Sequence, residues 1–228
     1  MAVDAKAASP RRRHTTGEAT RELLMTTAER LFAVHGVEGV TLREIQMEAG
    51  QSNSSVITYH FGSKAGLVRE LIAFRYRTID ARRAVLLEEA RADGVSEDPL
   101  AAVWLVVRPL IESIEAGEMF VPFLARLAPA SADAEYWPRQ VEDATDVLHE
   151  LVPGLLDELP DRVRRGRQVQ LYNSVLNLLG DHARSRQSIS DAQLNNYIDG
   201  WVGMLTAPVS PATSDLMEDE VRARNRRG

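Results

Sequence analysis

Between Thr41 and Lys64 the chain reads TLREIQMEAGQSNSSVITYHFGSK, and this stretch limits the possible folds more than any other. Thr41 and Glu44 have the spacing of a capping box. The threonine oxygen accepts from the third helical N–H, and the glutamate reaches back to the Thr41 N–H. Leu42, Ile45 and Ala49 then share one helical face. Gly50 supplies the positive φ at which that helix stops, and Ser52 or Asn53 caps the next. The second helix turns Ile57 and Phe61 inward and Ser54, Ser55, Thr58, Tyr59 and His60 outward. A third helix begins at once at Ser63. A short helix whose outer face carries donors and acceptors but no carboxylate suits entry into the DNA major groove.

The remainder reads as helices, with no period-2 strand signal, so the fold class is all-α with about nine helices. The first is expected from about Gly17 to Val34, with Leu24, Ala28, Leu31 and Phe32 on one stripe. A long helix starts at Ser63 and runs to about Ala92 on a stripe of Leu67, Leu71, Phe74 and Thr78, until Asp93-Gly94 breaks it. The segment from Pro99 to Ala116 is apolar nearly all round, as in a central helix, and Pro109 is expected to kink it. Further helices are expected over 118–127, 134–151, 161–184 and 191–205, before Pro208 and Pro211 end regular structure. The organisation expected is a flexible basic arm (1–16), a helix-turn-helix head (17–62), a connecting helix (63–92), a C-terminal body (93–207) and a flexible tail (208–228).

Charge separates these parts. The chain of 228 residues has a net charge of −6, but residues 1–78 carry +3 and residues 79–228 carry −9. One end is therefore suited to phosphates and the other is repelled by them. The absence of cysteine excludes disulfides and thiolate metal sites and fits a reducing cytoplasm. The longest apolar run, 100–107, is far below the roughly 18 residues that span a bilayer. The five histidines are scattered, and Asp146-x-x-His149 has no second copy to make a di-iron site. Neither a phosphate-cradling Gly-x4-Gly-Lys motif nor a Gly-x-Ser-x-Gly elbow is present. Nothing in the chain asks for a cofactor or metal. An enzyme or a helical small-molecule-binding protein without DNA binding is the alternative class.

Taken as a set, Phe32 and Gly36, Thr41-Leu42-x-x-Ile45, Ala49-Gly50 and Tyr59-His60-Phe61-Gly62-Ser63-Lys64 resemble the DNA-binding end of the tetracycline-repressor (TetR) family of bacterial regulators. The resemblance covers residues 20–72. It implies a repressor that leaves a palindromic operator when a small molecule binds. Tyr59 and His60 match family positions that touch the DNA backbone, and Arg43 lies near where family members meet it. Lys64, at the start of a helix, combines a cation with free N–H groups, which makes a phosphate site. One residue more separates Ala49-Gly50 from the Tyr-His-Phe triplet than the commoner family spacing allows. The base-facing register among Ser54, Ser55 and Val56 is therefore open. Arg11-Arg12-Arg13 is either an arm reaching the minor groove or a solvated charge run.

Two later segments are rich in apolar positions: Leu171, Val175, Leu178 and Leu179 on one side of the first with Tyr172 and Leu176 on another, and Leu194, Tyr197, Ile198, Trp201, Val202 and Leu205 in the second. Two apolar sides need two partners, the chain's own core and a second copy, which makes these residues the candidate homodimer interface. The resemblance also implies an effector pocket in the second half. Its candidate lining is Trp104, Arg108, Phe120, Phe123, Tyr136, Trp137, Tyr172, Asn173 and Asn177. Arg108 favours an anionic ligand if it points inward and gives no such hint if it points outward.

Overall fold

In the computed structural model, residues 10–95, 98–127, 156 and 159–225 are described. Among them are nine helices and no strand: α1 (Pro10–His35), α2 (Leu42–Glu48), α3 (Val56–Phe61), α4 (Lys64–Ala92), α5 (Pro99–Glu115), α6 (Phe120–Leu127), α7 (Asp161–Ser185), α8 (Asp191–Thr206) and α9 (Pro211–Asn225). The segment expected to be helical over 134–151 lies outside the described residues, and so do Tyr136, Trp137, Asp146 and His149.

Both termini correct the expectation. Helix α1 begins at Pro10, inside the stretch expected to be an arm. Proline is well tolerated in the first turn of a helix, where its missing N–H has no intrahelical partner anyway. The same effect operates at Pro211, which opens α9 where the sequence predicts an end to regular structure. Ser210 Oγ accepts from the Thr213 N–H at 3.3 Å, and Arg222 pairs along the helix with Glu218 at 2.9 Å. A further ion pair joins Arg162 of α7 to Glu220 of α9.

The core is built around α6 rather than α5. Phe120, Val121, Pro122, Phe123, Leu124, Ala125 and Leu127 are all buried, leaving Arg126 exposed. This short helix packs against α1 on one side and α7 on the other. Gly180 of α7 permits the close approach: a Cβ there would lie 2.8 Å from the Ala125 Cβ. Helix α5 continues through Pro109, which is buried, and lies between α4 and α8. On α1 the stripe of Leu24, Ala28 and Phe32 is fully buried. On α4 the inner place expected for Thr78 is taken by Ile79, while Thr78 is exposed.

Candidate functional site

The local chemistry of the head follows its sequence closely. Thr41 Oγ1 accepts from the Glu44 N–H at 3.2 Å, and Glu44 Oε2 accepts from the Thr41 N–H at 2.6 Å, which closes the capping box. That backbone bond, ahead of the one from the Thr41 hydroxyl, holds the Glu44 carboxyl below its ordinary pKa. Ile45 is fully buried, and Gly50 takes φ 64° at the end of α2. The turn is tied by Gln46 Nε2, which donates to the Gln51 carbonyl at 2.9 Å.

Helix α3 starts later than its polar residues suggested. Asn53 Oδ1 accepts from the Ser55 N–H at 3.0 Å, and the helix opens only at Val56. Ser54 and Ser55 therefore lie in the turn ahead of α3 and not on its face, although both are exposed. The reason is the Asn53 side chain, which closes a local turn in competition with the first helical bonds. Val56, Ile57 and Phe61 are buried, so Val56 is removed from the base-facing register. What remains outward is Ser54, Ser55, Thr58 and Tyr59, the last 82% exposed. His60 is half-buried beside Phe61, with its ring edge-on to Tyr59 at 5.1 Å. Burial, and then the charge of Arg21, push its pKa below the ordinary value, so the imidazole is neutral near pH 7. Lys64 is the first residue of α4, behind the Ser63 cap whose Oγ accepts from the Gly66 N–H at 3.0 Å. Arg43 is exposed on α2.

Several residues that hold this surface leave no local sequence signal. Arg21 of α1 lies over the Phe61 ring at 5.2 Å and pairs with Glu70 of α4. Arg30 pairs with Glu48 of α2 at 3.0 Å. Deeper, Glu29 of α1 accepts from Arg75 Nε at 2.6 Å, from Arg75 Nη2 at 3.0 Å and from the Met119 N–H at 2.9 Å. Arg75 also pairs with Glu118, which accepts from Ser113 Oγ at 2.6 Å. The Glu29 side chain is 3% exposed, and burial raises its pKa despite the arginine. This junction joins α1, α4 and the α5–α6 connection.

The described residues among those expected to line a pocket fall in several places. Phe120 and Phe123 are fully buried core rings, with Phe123 centred 5.9 Å from Phe32 and Phe120 5.8 Å from Tyr76. They fill the packing that α1, α4 and α6 need. Asn173 and Asn177 are exposed on α7, where Asn177 Nδ2 donates to the Asn173 carbonyl at 2.7 Å. Their i, i+4 spacing serves the helix itself. Trp104 and Arg108 do share a groove of about 430 Å³ between α4 and α5 with Arg82, Leu86 and Glu89. Arg108 points outward, however, and pairs with Glu112 at 3.1 Å, while Arg82 grips the same carboxylate at 2.8 Å and 3.0 Å. The hint of an anionic ligand at Arg108 is therefore gone. Tyr172 is partly buried against the core.

The dimer assignment also divides. Leu171, Val175, Leu179, Ile198, Trp201 and Leu205 are buried within the single chain and offer no surface to a second copy. The cause is α8, which lies over α5 and α7 and drives its main stripe into the chain's own core. Trp201 Nε1 donates to Ser174 Oγ at 2.9 Å. Leu178, Leu194, Tyr197 and Val202 retain part of their surface, alongside the exposed Gly200 and Gly203.

Residues 24–71 match the sequence family described as bacterial regulatory proteins, tetR family. Over 181 residues the chain is 26% identical to the HTH-type transcriptional repressor AcnR of Corynebacterium glutamicum, covering 73% of this chain and 94% of that protein. The repressor of the same name from Corynebacterium diphtheriae is 27% identical over 181 residues, 73% of this chain and 93% of that one. Among solved structures, a gamma-butyrolactone receptor described as ArpA-like superposes with a TM-score of 0.54 at 17% identity, covering 85% of this chain and all of that one.

Proposed function

Because this chain belongs to the tetR family of bacterial regulatory proteins, which act as DNA-binding transcriptional regulators, we propose that it is a repressor that holds a palindromic operator as a homodimer and is released by a small-molecule effector. The observation that carries the reading is the exposed surface of Ser54, Ser55, Thr58 and Tyr59, set on a buried Val56–Ile57–Phe61 seat with Lys64 beside it. Hydroxyls read base edges or phosphates, and Lys64 at the α4 N-terminus meets a phosphate. His60, being neutral, contributes a hydrogen bond rather than a charge, and Arg43 contacts the backbone from α2. Lacking an arginine or lysine fork on guanine, this face draws its specificity from hydroxyls, thymine methyls and DNA shape. The setting is the cytoplasm, where operator DNA is reached.

The test is a gel shift on DNA flanking the protein's own gene. A folded dimer that binds none of it at low salt would remove the regulator reading. Lys64→Ala is expected to weaken binding to all sequences alike and to reduce the salt slope by about one unit. An unchanged slope takes Lys64 away from phosphate.

The remaining outer surface of α7 and α8 is where the second copy is placed, centred on Leu178, Leu194, Tyr197 and Val202. A two-fold pair sets its recognition helices about 34–36 Å apart, one turn of DNA. Val202→Glu would bury a carboxylate without a partner at that contact, and is expected to raise the dimer dissociation constant by about a hundredfold or more in sedimentation equilibrium. A dimer as tight as wild type places the interface elsewhere.

Effector binding in the body reaches DNA through the Glu29–Arg75–Glu118 junction. Arg75 belongs to α4, whose first residue is Lys64, and its partners belong to α1 and to the α5–α6 connection. A shift of that connection therefore moves the start of α4. Ligand and operator then weaken each other by the same factor.

A further inference from the structure

Arg83 is held differently from Arg75 and Arg82, its neighbours on α4. Arg75 has two carboxylates and Arg82 holds Glu112 with two bonds. Arg83, with its side chain only 4% exposed, has Asp80 Oδ1 at 3.1 Å from Nη1, and that aspartate is itself 54% exposed. Its buried Nε has no partner among the described residues. A guanidinium is always charged and offers five donors, and a buried charge is costly unless it is paired and hydrogen-bonded.

Two tyrosine hydroxyls, each able to donate and to accept, stand within its electrostatic reach. Tyr76, one face along α4, and Tyr172 from α7 both feel the charges of Arg83 and Asp80. Burial raises the pKa of both hydroxyls, and the arginine opposes it, so both phenols keep their protons. The Tyr76 ring, only partly buried and braced edge-on by Phe120 at 5.8 Å, supplies an apolar wall.

We propose that Arg83 anchors an oxyanion site where α4 meets the C-terminal body, with Tyr76 and Tyr172 beside it, and that its occupant is a small organic carboxylate with an apolar tail. Arg83 carries one positive charge that Asp80 partly offsets, which suits a monoanion better than a dianionic phosphate. The partly buried Tyr76 ring suits a tail. The proposal rests on the effector reading above and gives that effector a chemical class.

The experiment uses the full-length protein and three probes, hexanoate, acetate and inorganic phosphate, each against sodium chloride at equal ionic strength. Hexanoate at about ten times its Kd is expected to raise the wild-type melting temperature by about 3–6 °C. Acetate should act more weakly, and phosphate no more than chloride. Arg83→Met should lose the hexanoate shift. Arg83→Lys keeps the charge but not the forked donors, and should bind hexanoate about tenfold more weakly by calorimetry, which decides the matter if the methionine variant does not fold. No hexanoate shift in wild type, or equal binding by Arg83→Lys, overturns the site. An Arg83-dependent response to phosphate alone overturns the carboxylate. Arg83-dependent hexanoate binding that leaves the operator complex intact supports the site and overturns the effector role instead.

Discussion

Replacing Arg75 with methionine is expected to lower folding stability by about 3–5 kcal/mol, because it leaves the Glu29 carboxylate buried without its counter-ion. Glu29 is 3% exposed and its remaining partner is the Met119 N–H. Urea unfolding monitored by circular dichroism gives the number. The loss should depend on pH in a definite direction. Burial, the largest influence on Glu29, already holds its pKa above the ordinary 4.5, with Arg75 pulling the other way. Removing Arg75 raises it further. A carboxylate with a raised pKa binds its proton more tightly in the folded state than in the unfolded one, so stability falls as pH rises through that interval. The penalty is absent below about pH 4.5 and complete above the folded pKa. The gap between Arg75→Met and wild type should therefore narrow on acidification. A gap that stays constant or widens would show that Glu29 is not the stranded group. Adding Glu29→Gln to Arg75→Met should recover most of the loss at neutral pH.

Gly66→Ala is the second large effect. Gly66 is buried in the first turn of α4, and a Cβ there would run into the Phe61 carbonyl oxygen at the end of α3. Backbone cannot step aside as a flexible side chain can, so the α3–α4 corner has to open. The expected destabilisation is about 2–3 kcal/mol. Operator affinity should fall by more than stability alone accounts for, because the displaced corner carries His60 on one side and Lys64 on the other. Thermal melting and a gel shift on the same preparation measure both. Wild-type DNA affinity in a destabilised variant would separate that corner from recognition.

The head was largely legible in the sequence because its determinants are local. The Thr41–Glu44 box, the Gly50 stop and the Ser63 cap each act within a few residues, and each is found where the spacing predicted it. Helix α3 starts later than its capping residues predict for the same kind of reason: Asn53 has two local roles open to it, and the turn prevails over the cap. The body was less legible. Apolar periodicity showed that Ile198, Trp201 and Leu205 are buried, but it carries no information on whether the same chain or a second copy covers them. Asn173 and Asn177 looked like a polar pair in an apolar helix, yet an i, i+4 pair is on one face whichever way that face turns. Arg83 leaves no mark in the sequence, because its meaning lies in a missing acceptor that only three-dimensional packing reveals.

Helix α3 has six residues and no side-chain cap, and its place is set by Phe61 under Arg21 and by the buried Val56 and Ile57. Ser54, Ser55, Thr58 and Tyr59 are exposed and lie outside that seat. Substitutions at these four positions are therefore nearly free of folding consequences, and selection on target sequence can act there with little hindrance from selection on stability. Duplicated copies of such a gene could diverge onto new operators by changing a handful of codons, while the scaffold beneath them stays unaltered.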